Sequence, residues 1–549
     1  MKFIPLLCLL LMPLFATQTQ TELKKMIGSM VMMGFDGTSV EHNSSIIQAI
    51  NKEHLGGVIL FNKVYNHPTQ TKNISSAKQL QRLTHQLQTL TDHFVLIGVD
   101  QEGGRVARLE HSHGFFSAPS ATTVAHLGIE KAQQLYNEQA KELSHEGINL
   151  NFAPVLDLCA NPKNKVIVGL ERCYSNNVQE VSRFAGVMID EQKKYHIISV
   201  AKHFPGHGSS LGDSHKGFVD VSETWNEKEL LPYKELIAQH KLDMIMTAHV
   251  FNRHLDAHYP ATLSYAVNTK LLRKQMGFEG VIVSDDMQMK AIAQHYSLKE
   301  AVTLAINSGV DILLFGNQLA KITPHKVCET IYEQVKNGAI SQQRIEESYR
   351  RITNLITKYA IIYKPIDFGA TRVALTKQYI KKHYGLNVSN ITIKPKMVVV
   401  HWTAIESFKN SFRTFYPQKL LATRKDIVHA SSLNVSAHFL VDRDGTIYQL
   451  MPDNWMARHV IGLNYCAIGI ENVGGKNNAK EDLTKAQLEA NINLIHYLKA
   501  KYPSITEVIG HYEYRRYENT PLWLEKDSHY RTQKADPGKK FMGALRDAL

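Results

Sequence analysis

Cysteine is scarce in this chain, with five in 549 residues. Cys159, Cys173, Cys328 and Cys466 stand in no CxxC spacing, so nothing points to a cysteine-built metal centre. Cys159 and Cys173 could close a loop disulfide in an oxidising compartment or remain free thiols, and both readings stay open. Low-complexity tracts are missing, and with 44% hydrophobic and 21% charged residues the composition is that of a folded globular protein. Long apolar runs are missing too. The run from Phe3 to Ala16 is too short to span a bilayer. It follows Lys2 and precedes the polar "TQTQTE", which predicts a secretory signal over residues 1–18, with Ala16 as a cleavage point. Cys8 lacks the small-residue context of a lipoprotein, so no stable membrane anchor is expected, and the predicted location is periplasmic or secreted. The net charge of +12 is scattered and carries no aromatic-interleaved basic motif, so no nucleic-acid partner is expected.

At this length two or more domains are expected. Between about residues 25 and 360, eight apolar runs alternate with amphipathic stretches such as "KAQQLYNEQAKELSHEG". The runs are "SMVMMGF", "GGVILF", "VLIGVD", "INLNFAPVLDL", "ISVAKHF", "LDMIMTAHV", "GVIVSDDM" and "VDILLFG". Eight continuous apolar strands alternating with helices predict an α/β fold, a (β/α)₈ TIM barrel, with an open doubly wound sheet as the alternative. Asp100, Asp157, Lys202, His203, His249, Asp285 and Asp286 all lie at the C-terminal ends of their runs, which in a barrel converge on one mouth. Pro365 and Gly369 then break the periodicity. This gives a barrel over residues 22–362, a linker over 363–374 and a mixed α/β domain over 375–549.

The stretch "AKHFPGHG" (Ala201–Gly208) places a lysine and two histidines at the end of an apolar strand, which costs several kcal/mol unless partners are supplied. Together with "DQEGGRVARL", "KHFPGHGSSLGDSHKGFVDV" and "VIVSDDMQMKAI", it resembles the glycoside hydrolase family 3 β-N-acetylglucosaminidases that act on peptidoglycan fragments. Glycoside hydrolysis needs an acid for the leaving oxygen and a carboxylate for the oxocarbenium-like centre. The resemblance implies Asp285 as nucleophile, and His215 paired with Asp213 as acid/base on a mobile loop that Gly208, Ser209, Ser210 and Gly212 leave free to close. It implies that Asp100, Arg108, Arg172, Lys202 and His203 hold the N-acetylglucosamine. No cofactor is implied for the barrel. Around Arg172, "VIVGLERCYS" departs from the shorter family pattern. Asp286 reads as a backbone-satisfying neighbour, and His207 as structural.

Beyond residue 375, "VVVHWTA", "SAHFLVDRDGTIYQL", "AIGIEN", "VIGHYEY" and "KADPGKKF" resemble the zinc-dependent N-acetylmuramoyl-L-alanine amidases of the type-2 fold, shared with peptidoglycan recognition proteins. A catalytic zinc takes three protein ligands and keeps a position open. The resemblance implies His401, His511 and Asp536 as ligands of one Zn²⁺, Glu471 as general base and Lys534 as oxyanion stabiliser. His438 and His459 read as structural or substrate-side groups. The expected function is a bifunctional hydrolase of muropeptides, and the alternative is a glucosaminidase whose amidase-like domain only binds peptidoglycan.

Overall fold

The computed structural model of the protein describes residues 20–213, 217–421, 424 and 427–549. The predicted signal therefore lies outside the described residues. The chain divides into two compact units between Ile356 and Thr357.

The first unit is a closed barrel of eight strands: β1 (Val31–Gly34), β2 (Gly57–Ile59), β3 (Leu96–Val99), β4 (Leu150–Asn151), β5 (Ile198–Phe204), β6 (Met244–Thr247), β7 (Val281–Asp286) and β8 (Ile312–Phe315). Every neighbouring pair is parallel, and β8 pairs back onto β1. Each of the eight apolar runs supplies one strand, and closure rules out the open sheet. The runs are continuously apolar because each strand is covered on both faces, by the barrel interior and by a surrounding helix. Helix Ile129–His145, for example, buries Ala132, Tyr136, Ala140 and Leu143 at helical spacing. After the last strand, helix Gln342–Tyr359 is tied down by Arg344 and Arg351, whose guanidinium groups reach the fully buried Asp311 at 3.0 and 3.1 Å.

The second unit is built on a six-stranded sheet: β9 (Ile361–Tyr363), β10 (Met397–Trp402), β11 (Phe439–Val441), β12 (Ile447–Gln449), β13 (Ala467–Asn472) and β14 (Glu507–Gly510), in the order β9-β12-β11-β13-β10-β14. Only β11 and β12 pair antiparallel, across the turn at Asp444–Gly445. Strand alternation sorts the residues between two cores. Val398, Val400, Ile468 and Ile470 face helix Lys485–Lys501 through Leu494 and Leu498. Met397, Val399 and Ala467 face the other way, toward Val460, Ile461 and Ile509. Continuing the alternation puts His401 and Glu471 on that second face, in register as cross-strand partners.

Candidate active sites

Past the C-terminal ends of the barrel strands lies a cavity of about 830 Å³, lined by Asp100, Arg108, Arg172, Lys202, His203, Asp213 and Asp285 among others. All the sequence-predicted residues of this site are thus brought together except His215, which lies outside the described residues. The β7–β8 register shifts between Val283 and Asp286, so Asp285 sits at an irregularity of the strand end. Asp286 accepts the Gln288 and Gly316 backbone N–H groups at 3.0 and 3.1 Å, matching its reading as a backbone-satisfying neighbour. His249 is held between Thr262 Oγ1 at 2.9 Å and the Asp286 carbonyl at 3.0 Å.

The buried cations of the cavity carry their counter-charges with them. Lys202, 2% exposed, places Nζ 2.9 Å from Asp100 and 2.7 Å from Glu102. Arg172 grips Glu102 with two parallel hydrogen bonds of 2.8 Å, and Arg108 reaches Asp100 at 3.2 Å. Burial alone would raise the Asp100 carboxyl, but Lys202 and Arg108 outweigh it and hold the group well below the usual range. Glu102 is likewise raised by burial, yet Arg172 and Lys202 bring it to about 2. His203 Nδ1 donates to Asp157 at 2.6 Å, while Arg172 donates to its Nε2 at 3.2 Å. An arginine can only donate and an ionised aspartate can only accept, so His203 stands as the neutral Nδ1–H tautomer.

The root of the loop leading to Asp213 is held on every side. His207 N–H donates to Asp157 at 2.8 Å and Gly208 N–H donates to Glu229 at 2.9 Å. Asn164, 1% exposed, donates to the His207 and Gly208 carbonyls at 2.8 and 3.1 Å, and Asn161 to that of Ser209 at 3.1 Å. Ser210 Oγ and His207 Nδ1 are hydrogen-bonded at 2.6 Å, in keeping with the structural role read for His207 from sequence. Gly208 is required by close approach, since a Cβ there would come 2.0 Å from the Leu158 carbonyl. The expectation that Gly208, Ser209 and Ser210 leave the loop free is therefore corrected: these residues anchor it. Asn161 and Asn164 belong to a loop closed by a disulfide between Cys159 and Cys173, which resolves the open question about that pair.

In the second unit, His401 Nδ1, His511 Nδ1 and Asp536 Oδ2 converge, with 2.9 Å between the two nitrogens and 3.1 and 2.9 Å from them to the carboxylate. All three residues are buried. His459 Nε2 lies 3.3 Å from the Ala467 carbonyl, which can only accept, so His459 carries its proton there. Its Nδ1 then accepts from His401 Nε2–H at 3.0 Å, and the His401 Nδ1 lone pair is left facing the cluster. Two imidazoles and a carboxylate converging in this way are a donor set for zinc, and a second ring fixes the tautomer of the first. Asp536 is raised by burial but held far below its ordinary range by His511 and His401. Burial lowers the buried His511 to about 4 and keeps His459 well below its usual value. His438 is structural: it accepts Gly469 N–H at 2.9 Å and donates to the Trp455 carbonyl at 2.8 Å.

Among the described residues Glu471 Oε2 is buried without a hydrogen-bond partner, and burial pushes the carboxyl well above its usual range against Lys534 and Arg424. His511, His459, Lys534 and Arg424 line a small cavity of about 50 Å³.

The comparisons match this division. The model of the glycosyl hydrolase family 3 N-terminal domain matches residues 22–355. The chain belongs to glycosyl hydrolase family 3. The N-acetylmuramoyl-L-alanine amidase model matches residues 392–539, so the family 3 unit is followed by an amidase-family domain. A beta-hexosaminidase of Haemophilus influenzae is 33% identical over 359 residues, covering 60% of this chain and 97% of that protein. Beta-hexosaminidase A of Pseudoalteromonas piscicida is 32% identical over 337 residues; the match covers 57% of this chain and spans 54% of that protein's length. Among solved structures, a family 3 β-N-acetylglucosaminidase from Paenibacillus is similar at a TM-score of 0.56 and 25% identity, covering 91% of this chain and 86% of its own.

Within the family 3 unit, sequence reasoning missed Glu102 and Asn164. Glu102 stands two residues after Asp100 in "DQEGG", and that spacing past a strand end was a usable signal. Asn164 gave none, because its partners lie more than forty residues away.

Proposed function

We propose that this chain is a bifunctional peptidoglycan hydrolase: a retaining β-N-acetylglucosaminidase in the first unit, and a zinc N-acetylmuramoyl-L-alanine amidase in the second, which begins at Thr357 and takes in the Ile361–Tyr363 strand and the segment expected as a linker. The observation that carries the proposal is the pair of separate constellations, one in each unit. Asp285 lies in the barrel cavity beside Lys202, His203 and Asp100, and the His401–His511–Asp536 cluster shares a sheet face with Glu471.

In the barrel, Asp100, Arg108, Arg172, Lys202 and His203 hold the terminal N-acetylglucosamine. Asp285 attacks the anomeric carbon and forms a glycosyl-enzyme. His215, oriented by Asp213, gives a proton to the leaving oxygen and later takes one from the water that releases the sugar. The ion-paired lining is pre-ordered, so little reorganisation accompanies binding.

In the second unit His401, His511 and Asp536 would hold the zinc, and the donor set fits it. Zinc bound there would act as a Lewis acid toward the amide carbonyl and would make a water more acidic. Glu471 is assigned as the base that takes a proton from the attacking water and passes it to the leaving L-alanine nitrogen, and Lys534 as the cation that offsets negative charge on the carbonyl oxygen. The Glu471 oxygen on the His401 side, unpartnered among the described residues, favours this reading over a non-catalytic binding domain.

The substrate is a muropeptide, cut between N-acetylglucosamine and N-acetylmuramic acid and again between the lactyl group and L-alanine. The Cys159–Cys173 disulfide supports an extracytoplasmic setting, where such bonds persist. Digestion of a defined disaccharide-peptide, followed by mass spectrometry, tests the reading. Free N-acetylglucosamine and free peptide are both expected, and the absence of either product removes the corresponding activity.

A further inference from the structure

Most cations lining the barrel cavity are already matched to a carboxylate. Lys202, Arg172 and Arg108 share Asp100 and Glu102, and Lys63 pairs with Glu110 at 2.8 Å. Arg105 and Lys165 differ. Both line the same cavity and both are exposed. Among the described residues neither has a carboxylate partner; the Arg105 guanidinium donates to the Gly169 carbonyl at 3.3 Å.

The backbone that carries Lys165 is built to stay in place. It lies inside the Cys159–Cys173 loop, and closing a loop of this length removes unfolded-state entropy. Asn164 Oδ1 accepts Val166 and Ile167 N–H at 3.0 and 2.9 Å, and the Asn164 carbonyl accepts Gly169 N–H at 2.8 Å. Arg105 grips the same loop at Gly169. One cation on the stapled loop and one bonded to it from outside are therefore presented at the cavity, farther into solvent than the buried groups proposed to hold the terminal sugar. A cation without an internal counter-charge on a preorganised wall is suited to an anion brought by a ligand.

We infer that Arg105 and Lys165 form a subsite for a carboxylate on the leaving-group side of the scissile bond, so that the barrel favours acidic aglycones over neutral ones. This rests on the barrel being a glucosaminidase. It assigns to the stapled loop, where the sequence departs from the shorter family pattern, the task of reading the charge of the second sugar.

The test uses the full-length protein and two disaccharides that differ only in charge. One is N-acetylglucosaminyl-β-1,4-N-acetylmuramic acid with its lactyl carboxylate free; the other is the same compound capped as the methyl ester. Neither contains the peptide amide. The ratio of kcat/KM for acid over ester is the readout. It is expected to exceed one in the unsubstituted protein, and to fall roughly tenfold in Arg105→Ala/Lys165→Ala, mainly through KM. Raising ionic strength to about 0.5 M should shrink the ratio in the unsubstituted protein, because both cations are exposed. Lys165→Glu should bring the ratio below one. A ratio unmoved by all three changes overturns the subsite while leaving the glucosaminidase reading standing. Failure to cleave either disaccharide overturns that reading and the subsite with it.

Discussion

The two candidate sites solve the problem of buried charge in opposite ways. In the barrel site, the buried ionised groups are satisfied from within the protein, by opposite charges or by hydrogen bonds. Lys202 lies between Asp100 and Glu102, Arg172 is doubly bonded to Glu102, and Asp157 supports His203. In the second unit, three candidate ligand atoms converge with a lone pair forced inward by the His459–Ala467 relay, and Glu471 has an oxygen unpartnered among the described residues. The first arrangement is electrostatically closed, whereas the second presents a donor set that a cation would complete. Buried charge is tolerated when paired or coordinated, and this contrast is the basis for proposing metal-dependent chemistry in the second unit.

The largest expected effect follows directly. A strong chelator should reduce amidase turnover by at least about 10³-fold and leave glucosaminidase turnover in place. If both activities fall together, the contrast between a closed site and an open one fails. Substitution sharpens the same division. Glu471→Ala should keep the metal and lose amidase turnover by a similar factor, whereas His401→Ala should lose both. Metal analysis beside product assays distinguishes them, and zinc lost from Glu471→Ala but retained in His401→Ala would reverse the assigned roles.

A smaller effect is expected at Asn164, which touches none of the groups proposed to react but ties the disulfide loop to the root of the Asp213 loop. Asn164→Ala should lower glucosaminidase kcat by roughly 10- to 100-fold, with amidase unaffected. Because the misplaced group is the acid/base segment, the loss should be larger for alkyl leaving groups than for nitrophenyl ones, which need little protonation. Asn164→Ser should recover part of the difference. Equal losses for both leaving groups would mean that Asn164 supports the fold and not the loop.

Those residues mark where sequence reasoning stops. All eight barrel strands were legible, because strands covered on both faces must be apolar throughout, and the polar residues ending them were legible because nothing else explains them. Ligand candidates such as His401 and His511 could be found for the same reason, as polar ends of apolar strands. The partners of these groups were not legible. Asp157 was visible as a strand-end carboxylate, but its bond to His203 depends on a neighbouring strand. The segment Ile361–Tyr363 carries no mark of its pairing with β12, more than eighty residues later. His459 looked like any structural histidine until its ring was found against His401. Periodicity reports which face a residue occupies and is silent about what meets it there.

The smallest effect is on stability, and its sign differs between the units. Burial raises Glu229 in the barrel unit to about 7. Its contribution is full below about pH 4.5 and is lost as pH rises through about 7. Burial lowers His438 in the second unit to about 4, so its contribution is full above about pH 6.5 and is lost as pH falls through about 4. Each shift corresponds to something on the order of 3 kcal/mol. Calorimetry of the full chain should therefore find a Glu229 contribution to the barrel transition that declines between about pH 4.5 and 7, and a His438 contribution to the second that declines between about pH 6.5 and 4. Glu229→Gln should flatten the first slope, and His438→Asn the second. Slopes of the same sign for both transitions, unchanged by the variants, would contradict the assignment.

The most direct test of two independent hydrolytic sites is one disaccharide-peptide digested by Asp285→Ala, by His401→Ala and by the unsubstituted protein, with products resolved by mass spectrometry. Asp285→Ala should release peptide and leave the disaccharide intact. His401→Ala should release N-acetylglucosamine and leave the peptide attached to the muramic residue, and the unsubstituted protein should do both. Loss of both products in either folded variant, or release of peptide by His401→Ala at the unsubstituted rate, would contradict the account.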